Sequence, residues 1–158
     1  MTKNRQTKET PVAALAGNPN VGKSTIFNAL TGMRQHTGNW PGKTVSLAQG
    51  VCMYKGEEIR LVDLPGTYAL VSKSQEETLA AGFISGGEAD CVIAVCDATS
   101  LERSLILALQ VMELTDRVIV CVNLMDEAQK QGIEIDLAAL SFELGVPVVA
   151  ASASREEG

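Results

Sequence analysis

Short apolar runs and amphipathic stretches alternate along the chain from residue 11 onward. Apolar runs rich in Val, Ile, Leu and Ala indicate buried strands, and leucines recurring at helical spacing indicate helices. Strands are predicted at residues 11–16, 45–54, 58–63, 91–96, 117–123 and 146–150, and helices at 24–30, 75–85, 101–114 and 136–144, with one more after 126. This alternation predicts an α/β fold with a mostly parallel sheet and helices on both faces.

Local signals mark several boundaries. Ser74 followed by Glu77 predicts a capping box, and Asp136 predicts the N-cap of a helix that runs to residue 144. Gly56 predicts a hairpin turn between two strands. Residues 31–44 contain several glycines and a proline without periodicity, which predicts a long loop that is functional or mobile. The polar residues 1–10 are predicted to be a disordered leader, followed by one domain over 11–158.

Composition narrows the classes of function. The 13 Lys and Arg stand against 19 Asp and Glu, a net charge of −6, so no basic field favours nucleic acid and no nucleic-acid partner is predicted. The four cysteines lack C-x-x-C spacing and lie in apolar runs, which predicts buried free thiols in a reducing, cytoplasmic compartment and no zinc site. No apolar run approaches the ~20 residues of a membrane-spanning helix.

Residues 17–24, Gly-Asn-Pro-Asn-Val-Gly-Lys-Ser, match the phosphate-binding loop G-x-x-x-x-G-K-[ST] at every fixed position. Such a loop turns backbone N–H groups toward an anion, and the helix after it adds its positive N-terminal end. We expect Lys23 to reach the β- and γ-phosphates and the Ser24 hydroxyl to bind Mg2+. Nucleotide contacts are predicted for Asn18, Pro19, Asn20, Val21, Gly22, Lys23, Ser24 and Thr25.

The tetrapeptide at residues 123–126, Asn-Leu-Met-Asp, follows a predicted buried strand and indicates which base is bound. The Asp126 carboxylate can accept hydrogen bonds from guanine N1–H and from its 2-amino group together. Adenine offers neither donor, so the predicted ligand is GTP or GDP. Asn123 is assigned to the same site. A backbone N–H in the segment Ser152, Ala153, Ser154 is predicted to contact guanine O6.

Residues 63–66, Asp-Leu-Pro-Gly, end another predicted strand and supply a metal ligand. We expect Asp63 to hold Mg2+ through water and the Gly66 N–H to contact the γ-phosphate. Thr44 is the predicted second protein ligand of Mg2+, engaged only when the γ-phosphate is present. The loop before Thr44 is therefore predicted to be a switch that the triphosphate orders.

These stretches resemble the N-terminal G domain of the ferrous iron transporter B (FeoB) family. The resemblance rests on the phosphate loop and on residues 38–44 (Gly-Asn-Trp-Pro-Gly-Lys-Thr), 62–68, 97–103 and 123–126, of which 38–44 is the most specific. It implies a P-loop NTPase with a Ras-like G-domain fold, a cytoplasmic GTPase that regulates or drives ferrous iron uptake. The implied partner is a membrane transport region of the same or another polypeptide.

The resemblance also implies activation by K+. Asn20 would give the ion a side-chain oxygen, and Gly38 and Trp40 would give backbone carbonyls, so that the cation offsets charge developing between the β- and γ-phosphates. The predicted catalytic residues are then Lys23, Asn20, Thr44 and Gly66.

Three departures from the usual G-domain pattern carry their own predictions. Leu124 replaces the Lys of N-K-x-D, which predicts weaker guanine binding and rapid GDP release. Thr67 replaces the Gln that orients water in Ras-like proteins, which predicts slow turnover. The chain stops at Gly158 without the expected last helix, which predicts an exposed apolar sheet face that favours self-association or a partner. The alternatives are a nucleotide-gated binding module with negligible hydrolysis and a ribosome- or tRNA-associated GTPase.

Overall fold

The computed structural model describes residues 9–32, 35–39, 46–71 and 73–158, which contain a seven-stranded sheet. The strands are β1 (Val12–Gly17), β2 (Gln35–Asn39), β3 (Ser46–Tyr54), β4 (Glu57–Asp63), β5 (Cys91–Asp97), β6 (Val118–Asn123) and β7 (Val148–Ala150). Their order across the sheet is β2-β3-β4-β1-β5-β6-β7. From β4 to β7 all neighbours are parallel, whereas β3 is antiparallel to both of its neighbours. The predicted mostly parallel sheet is confirmed.

In the described part of the chain, five helices lie on the two faces of this sheet, also as predicted. They are α1 (Lys23–Thr31), α2 (Gln75–Ser85), α3 (Leu101–Leu114), α4 (Met125–Lys130) and α5 (Leu137–Leu144). Successive residues of β1 point to opposite faces, as strand geometry requires. Ala14 belongs to the core cluster that contains Phe83 of α2 and Val111 of α3, and Leu15 belongs to the cluster that contains Phe27 of α1.

The two N-caps and the hairpin turn that the sequence predicts are present in the structure. The Ser74 hydroxyl accepts a hydrogen bond from the Glu77 N–H at 3.1 Å, and the Asp136 carboxylate accepts one from the Ala139 N–H at 2.9 Å. Each bond satisfies a backbone donor in the first turn of a helix. Gly56 has a φ of +81° in the two-residue turn between β3 and β4, a conformation that glycine adopts without strain.

The predicted loop over residues 31–44 is wrong in its middle, because β2 lies there. β2 pairs with β3 in antiparallel register, with Gln35 opposite Gly50 and Asn39 opposite Ser46. Its sequence, Gln-His-Thr-Gly-Asn, has no apolar alternation, since β2 is the edge strand and its pairing uses backbone groups. Hydrophobic periodicity cannot detect a strand of this kind.

Next to α1, an apolar pocket lies against the face of the sheet where the sequence predicts exposed apolar surface. It is a cavity of about 420 Å3 whose lining includes Ile26, Leu30, Ile93, Ile119, Cys121 and Val149. What covers this surface stays a prediction. Among the described residues, no helix combines the length and the apolar character needed to cross a bilayer.

The four cysteines are free, and Cys96 and Cys121 are buried. Burial raises the pKa of Cys96 to about 12 and that of Cys121 to about 11. Both thiols are therefore protonated at neutral pH and act as small apolar core residues rather than as nucleophiles. Within the described segments, no cluster of His, Cys, Asp and Glu side chains has the arrangement of a metal centre.

Candidate nucleotide-binding site

The segments predicted to bind nucleotide all begin at the carboxyl ends of parallel strands, which meet at one edge of the sheet. They follow β1, β4, β6 and β7. The segments after β1 and β4 are joined by a hydrogen bond from the Thr67 N–H to the Gly17 carbonyl at 3.2 Å. Those after β6 and β7 are joined by a bond from the Met125 N–H to the Ala151 carbonyl, also 3.2 Å.

The loop between β1 and α1 follows a path that requires glycine at position 22. Gly22 has a φ of +83°, and a Cβ atom there would lie 2.2 Å from the Asn123 Nδ2. Within the same loop, the buried Asn18 has an Oδ1 without a hydrogen-bond partner among the described residues. α1 begins directly after Gly22, so the backbone N–H groups of its first turn are available to an anion.

A cavity of about 590 Å3 lies against this loop and brings together most of the predicted phosphate-binding residues. It is lined by Asn18, Pro19, Asn20, Gly22, Lys23, Ser24, Thr25, Gly66 and Leu124. The exception is Val21, whose side chain packs into the core cluster of Leu15 and Phe27. Val21 takes part in the site through its backbone carbonyl, which accepts a hydrogen bond from Asn123.

Lys23 and Asp63, the two charged residues at the end of the site next to the phosphate loop (the phosphate end), are paired with each other. The Lys23 ammonium group forms an ion pair with the Asp63 carboxylate and donates a hydrogen bond to the Leu64 carbonyl at 2.7 Å. Both side chains are largely removed from water, with exposures of 9% and 16%. A cation and an anion therefore lie next to each other where the sequence predicts contacts with phosphate and Mg2+.

Asn123, the last residue of β6, connects three segments of the chain. Its Nδ2 donates to the Val21 carbonyl at 3.0 Å, and its Oδ1 accepts from the Ala153 N–H at 3.1 Å. The side chain is 1% exposed, so both bonds are shielded from water. Asn123 therefore fixes the phosphate loop to the two segments that follow β6 and β7.

Asp126 lies beside Asn123 and is only partly satisfied. Its backbone N–H donates to the Ser152 hydroxyl at 3.2 Å, and its Oδ2 lies 3.3 Å from the Arg155 Nε. The carboxylate is 7% exposed, and its Oδ1 has no partner within the described part of the chain. A buried carboxylate oxygen without a donor is costly, which makes this atom the natural acceptor for a ligand.

Sequence reasoning missed Arg155, because a single arginine in a short polar segment forms no pattern. It placed Ser152, Ala153 and Ser154 at the site, and the structure brings the first two there. Their backbone N–H groups, however, donate within the protein, from Ser152 to the Glu157 carbonyl and from Ala153 to Asn123. Ser154 is exposed.

Two predicted site residues lie outside the described residues, namely Trp40 and Thr44. Gly38, the other predicted backbone ligand of K+, lies in β2 opposite Leu47 and does not line the cavity. Asn20 does line it, with a φ of +66° that asparagine tolerates better than most residues.

A phosphate loop, an Asp-x-x-Gly segment and an Asn-x-x-Asp segment on the ends of parallel strands define a P-loop NTPase of the G-domain class. A sequence profile described as ferrous iron transport protein B matches residues 11–158. The chain therefore belongs to the FeoB family, as the sequence resemblance predicts.

Relatives and solved structures agree with this assignment. The chain is 47% identical over 148 residues to the Fe(2+) transporter FeoB of Salmonella typhimurium, a match that covers 91% of this chain and 19% of the transporter. It thus spans about a fifth of that relative. The G domain of the T. maritima FeoB iron transporter superposes with a TM-score of 0.86 at 46% identity, covering 94% of this chain and 91% of the other. The cytosolic domain of the same transporter in a GMPPNP form gives 0.89 at 47%, covering 94% and 59%.

Proposed function

We propose that this chain is a Mg2+-dependent GTPase domain that binds GTP, hydrolyses it to GDP and phosphate, and thereby regulates or drives ferrous iron uptake by a membrane transport region. The proposal rests on the two hydrogen bonds of Asn123, here called the Asn123 frame, which join the phosphate loop to the segment after β7. Close by in sequence is Asp126, a buried carboxylate with one oxygen unpaired. The relatives support the iron substrate, since a matching protein is named an Fe(2+) transporter.

The base end of the site, which is the part around Asn123 and Asp126, would select guanine through the unpaired oxygen of Asp126. Guanine N1–H and its 2-amino group donate side by side, and a carboxylate with an unpaired Oδ1 can accept from both. Adenine would leave that buried oxygen without a donor, at a cost of about 1–3 kcal/mol or more for a charged group. The GMPPNP form of a T. maritima relative supports a guanine nucleotide here.

The phosphate end fits a nucleotide that brings both negative charge and a metal ion. Lys23 would exchange Asp63 for the β- and γ-phosphates, and Asp63 would turn to the Mg2+ through water. The Ser24 hydroxyl and Thr44 would complete the protein ligands of Mg2+, and the Gly66 N–H would contact the γ-phosphate. Bound Mg2+ would supply the neutralisation of phosphate charge that makes γ-phosphoryl transfer feasible.

Thr67 supports slow intrinsic turnover. It stands where Ras-like proteins carry a water-orienting Gln, is 6% exposed, and donates its backbone N–H to Gly17. A short side chain held in this way cannot reach out to a water molecule beside the γ-phosphate. The same observation favours a second candidate function, a nucleotide-gated binding module whose hydrolysis is negligible.

Bound K+ would promote hydrolysis in another way, by offsetting the charge that develops between the β- and γ-phosphates. Asn20 would supply a side-chain oxygen, and Gly38, which lies away from the cavity in this structure, would have to move with Trp40 for their carbonyls to complete the site. We expect hydrolysis to be faster in KCl than in NaCl by about tenfold or more.

The test is phosphate release from GTP in KCl and in NaCl, with Mg2+ or EDTA. Asn20→Gly is the informative variant, because glycine adopts the positive φ without strain while the substitution removes the carboxamide side chain and with it the oxygen. It should lose the preference for K+. Turnover at the background rate in every salt would favour the binding module instead, and calorimetric binding of ADP as tight as that of GDP would contradict the guanine site.

A further inference from the structure

The segment after β7 is a closed turn that holds Arg155 beside the base end of the site. The Ser152 N–H donates to the Glu157 carbonyl at 2.8 Å, and the Glu157 N–H returns a bond to the Ser152 carbonyl at 3.3 Å. Inside this turn the Arg155 N–H also donates to the Ser152 carbonyl, at 2.8 Å. Glu156 closes the turn with a φ of +56°. The backbone of Arg155 is therefore fixed relative to Ser152.

Ser152 in turn is fixed relative to Asp126, since its hydroxyl accepts the Asp126 N–H at 3.2 Å. The Arg155 Nε lies 3.3 Å from the Asp126 Oδ2, and the exposures of the two side chains are 51% and 7%. One carboxylate oxygen is thus engaged by a cation at the rim of the site. The other, Oδ1, is the buried oxygen without a partner.

We propose that Arg155 is a positioning residue for base recognition: its guanidinium holds the Asp126 carboxylate in the orientation that reads the N1–H and 2-amino groups of guanine together. This inference rests on the proposed guanine site. It assigns to the closed turn a role in base recognition, the positioning of Asp126, that neither the phosphate loop nor the Asn-x-x-Asp segment performs.

Arg155 and guanine need not compete for the carboxylate. A carboxylate offers about four lone-pair positions, so a bond from Arg155 to Oδ2 leaves positions on both oxygens for the base. Leu124, which occupies the position after Asn123, brings no positive charge to the base end. Among the described residues, Arg155 is the cation within ion-pair distance of Asp126. Without it, the carboxylate would lose the contact that limits its rotation.

The role predicts a difference between two purine nucleotides. Hypoxanthine keeps N1–H but lacks the 2-amino group. The binding of inosine diphosphate (IDP) therefore depends less on the orientation of the Asp126 carboxylate than the binding of GDP does. Losing Arg155 should therefore weaken GDP binding more than IDP binding. A purely structural role in holding the turn would weaken both nucleotides equally.

The experiment measures dissociation constants of GDP and IDP by calorimetry for the whole chain and its variants. Arg155→Ala should weaken GDP by about fivefold to tenfold and IDP by about twofold or less, the size expected for a partly exposed charge-assisted contact. Arg155→Lys, which keeps the charge but not the fork, should fall between. Arg60→Ala, an exposed arginine on β4, is the matched control and should leave both constants unchanged. Melting temperatures without nucleotide check that the variants fold.

Asp126→Asn separates this inference from the function on which it rests. In that background Arg155 has no anionic partner, so adding Arg155→Ala should change xanthosine diphosphate binding by less than about twofold. Equal losses of GDP and IDP affinity in Arg155→Ala, or tighter GDP binding, would overturn the positioning role while the guanine site stands. Wild-type chain that binds ADP as well as GDP would instead overturn the guanine site itself.

Discussion

The two ends of the nucleotide site are built in different ways. The phosphate end comes almost entirely from one contiguous loop, residues 17–24, completed by Asp63 and Gly66 from the neighbouring strand end. The base end is assembled from contacts between distant residues, because Asn123 bonds to Val21, 102 positions earlier, and to Ala153, 30 positions later. The phosphate end depends on local backbone shape and charge, whereas the base end depends on tertiary structure.

The largest effect should come from removing the charge at the phosphate end. Lys23→Ala takes away the ammonium group that would meet the β- and γ-phosphates and leaves the Asp63 carboxylate unpaired beside them. We expect GDP and GTP affinity to fall by about 100-fold or more, measured by calorimetry.

Lys130→Ala is the control for Lys23→Ala, because Lys130 is exposed and pairs with Glu127 on α4. It should leave nucleotide affinity unchanged. A change of less than about threefold in Lys23→Ala would mean that the phosphates are held elsewhere.

Gly22 is the point where the two ends touch, so its substitution should disturb both. Alanine there has to adopt a φ of +83° and places its Cβ 2.2 Å from the Asn123 Nδ2. Gly87→Ala is a matched control, since Gly87 has a φ of +73° with nothing within 4 Å of the added Cβ. We expect Gly22→Ala to lose about 2 kcal/mol more stability in urea unfolding than the control does. Equal losses would show that the contact with Asn123 relaxes without cost.

Asn123→Ala tests the base end without touching a charge. It removes two shielded hydrogen bonds and leaves the Val21 carbonyl and the Ala153 N–H without their partner, at a cost of about 1–3 kcal/mol in the free energy of unfolding. GDP affinity should fall by about tenfold, because Ser152 and Asp126 lose their fixed position relative to the phosphate loop. Asn123→Asp, which keeps the acceptor for Ala153 but turns a buried carboxylate oxygen toward the Val21 carbonyl, should lose at least as much stability as Asn123→Ala. Wild-type stability in both variants would contradict the claim that the two hydrogen bonds of Asn123 hold these segments together.

The same difference explains what the sequence could predict. The phosphate loop, the capping by Ser74 and Asp136 and the turn at Gly56 are local, so a few neighbouring residues specify them. β2 could not be predicted, because its edge pairing needs no apolar pattern. Arg155 could not be predicted either, because its place beside Asp126 depends on a turn closed by the Ser152 and Glu157 backbones. The sequence assigns Asn123 to the predicted base site, but its hydrogen bonds to Val21 and Ala153, which join separate segments, become visible only in the tertiary contacts.

The smallest expected effect belongs to Ser152, which supports Asp126 through a single bond from a backbone N–H to its hydroxyl. Ser152→Ala should lower GDP affinity by about twofold to fivefold, appearing as faster release in a stopped-flow chase of a fluorescent nucleotide. The buried Asp126 N–H would lose its acceptor, but Asn123 and Arg155 would still hold the frame and the carboxylate. Ser85→Ala, which removes an exposed hydroxyl bonded within α2, is the control. A loss as large as that in Asn123→Ala would mean that Ser152, rather than Asn123, is the residue that holds the base end together.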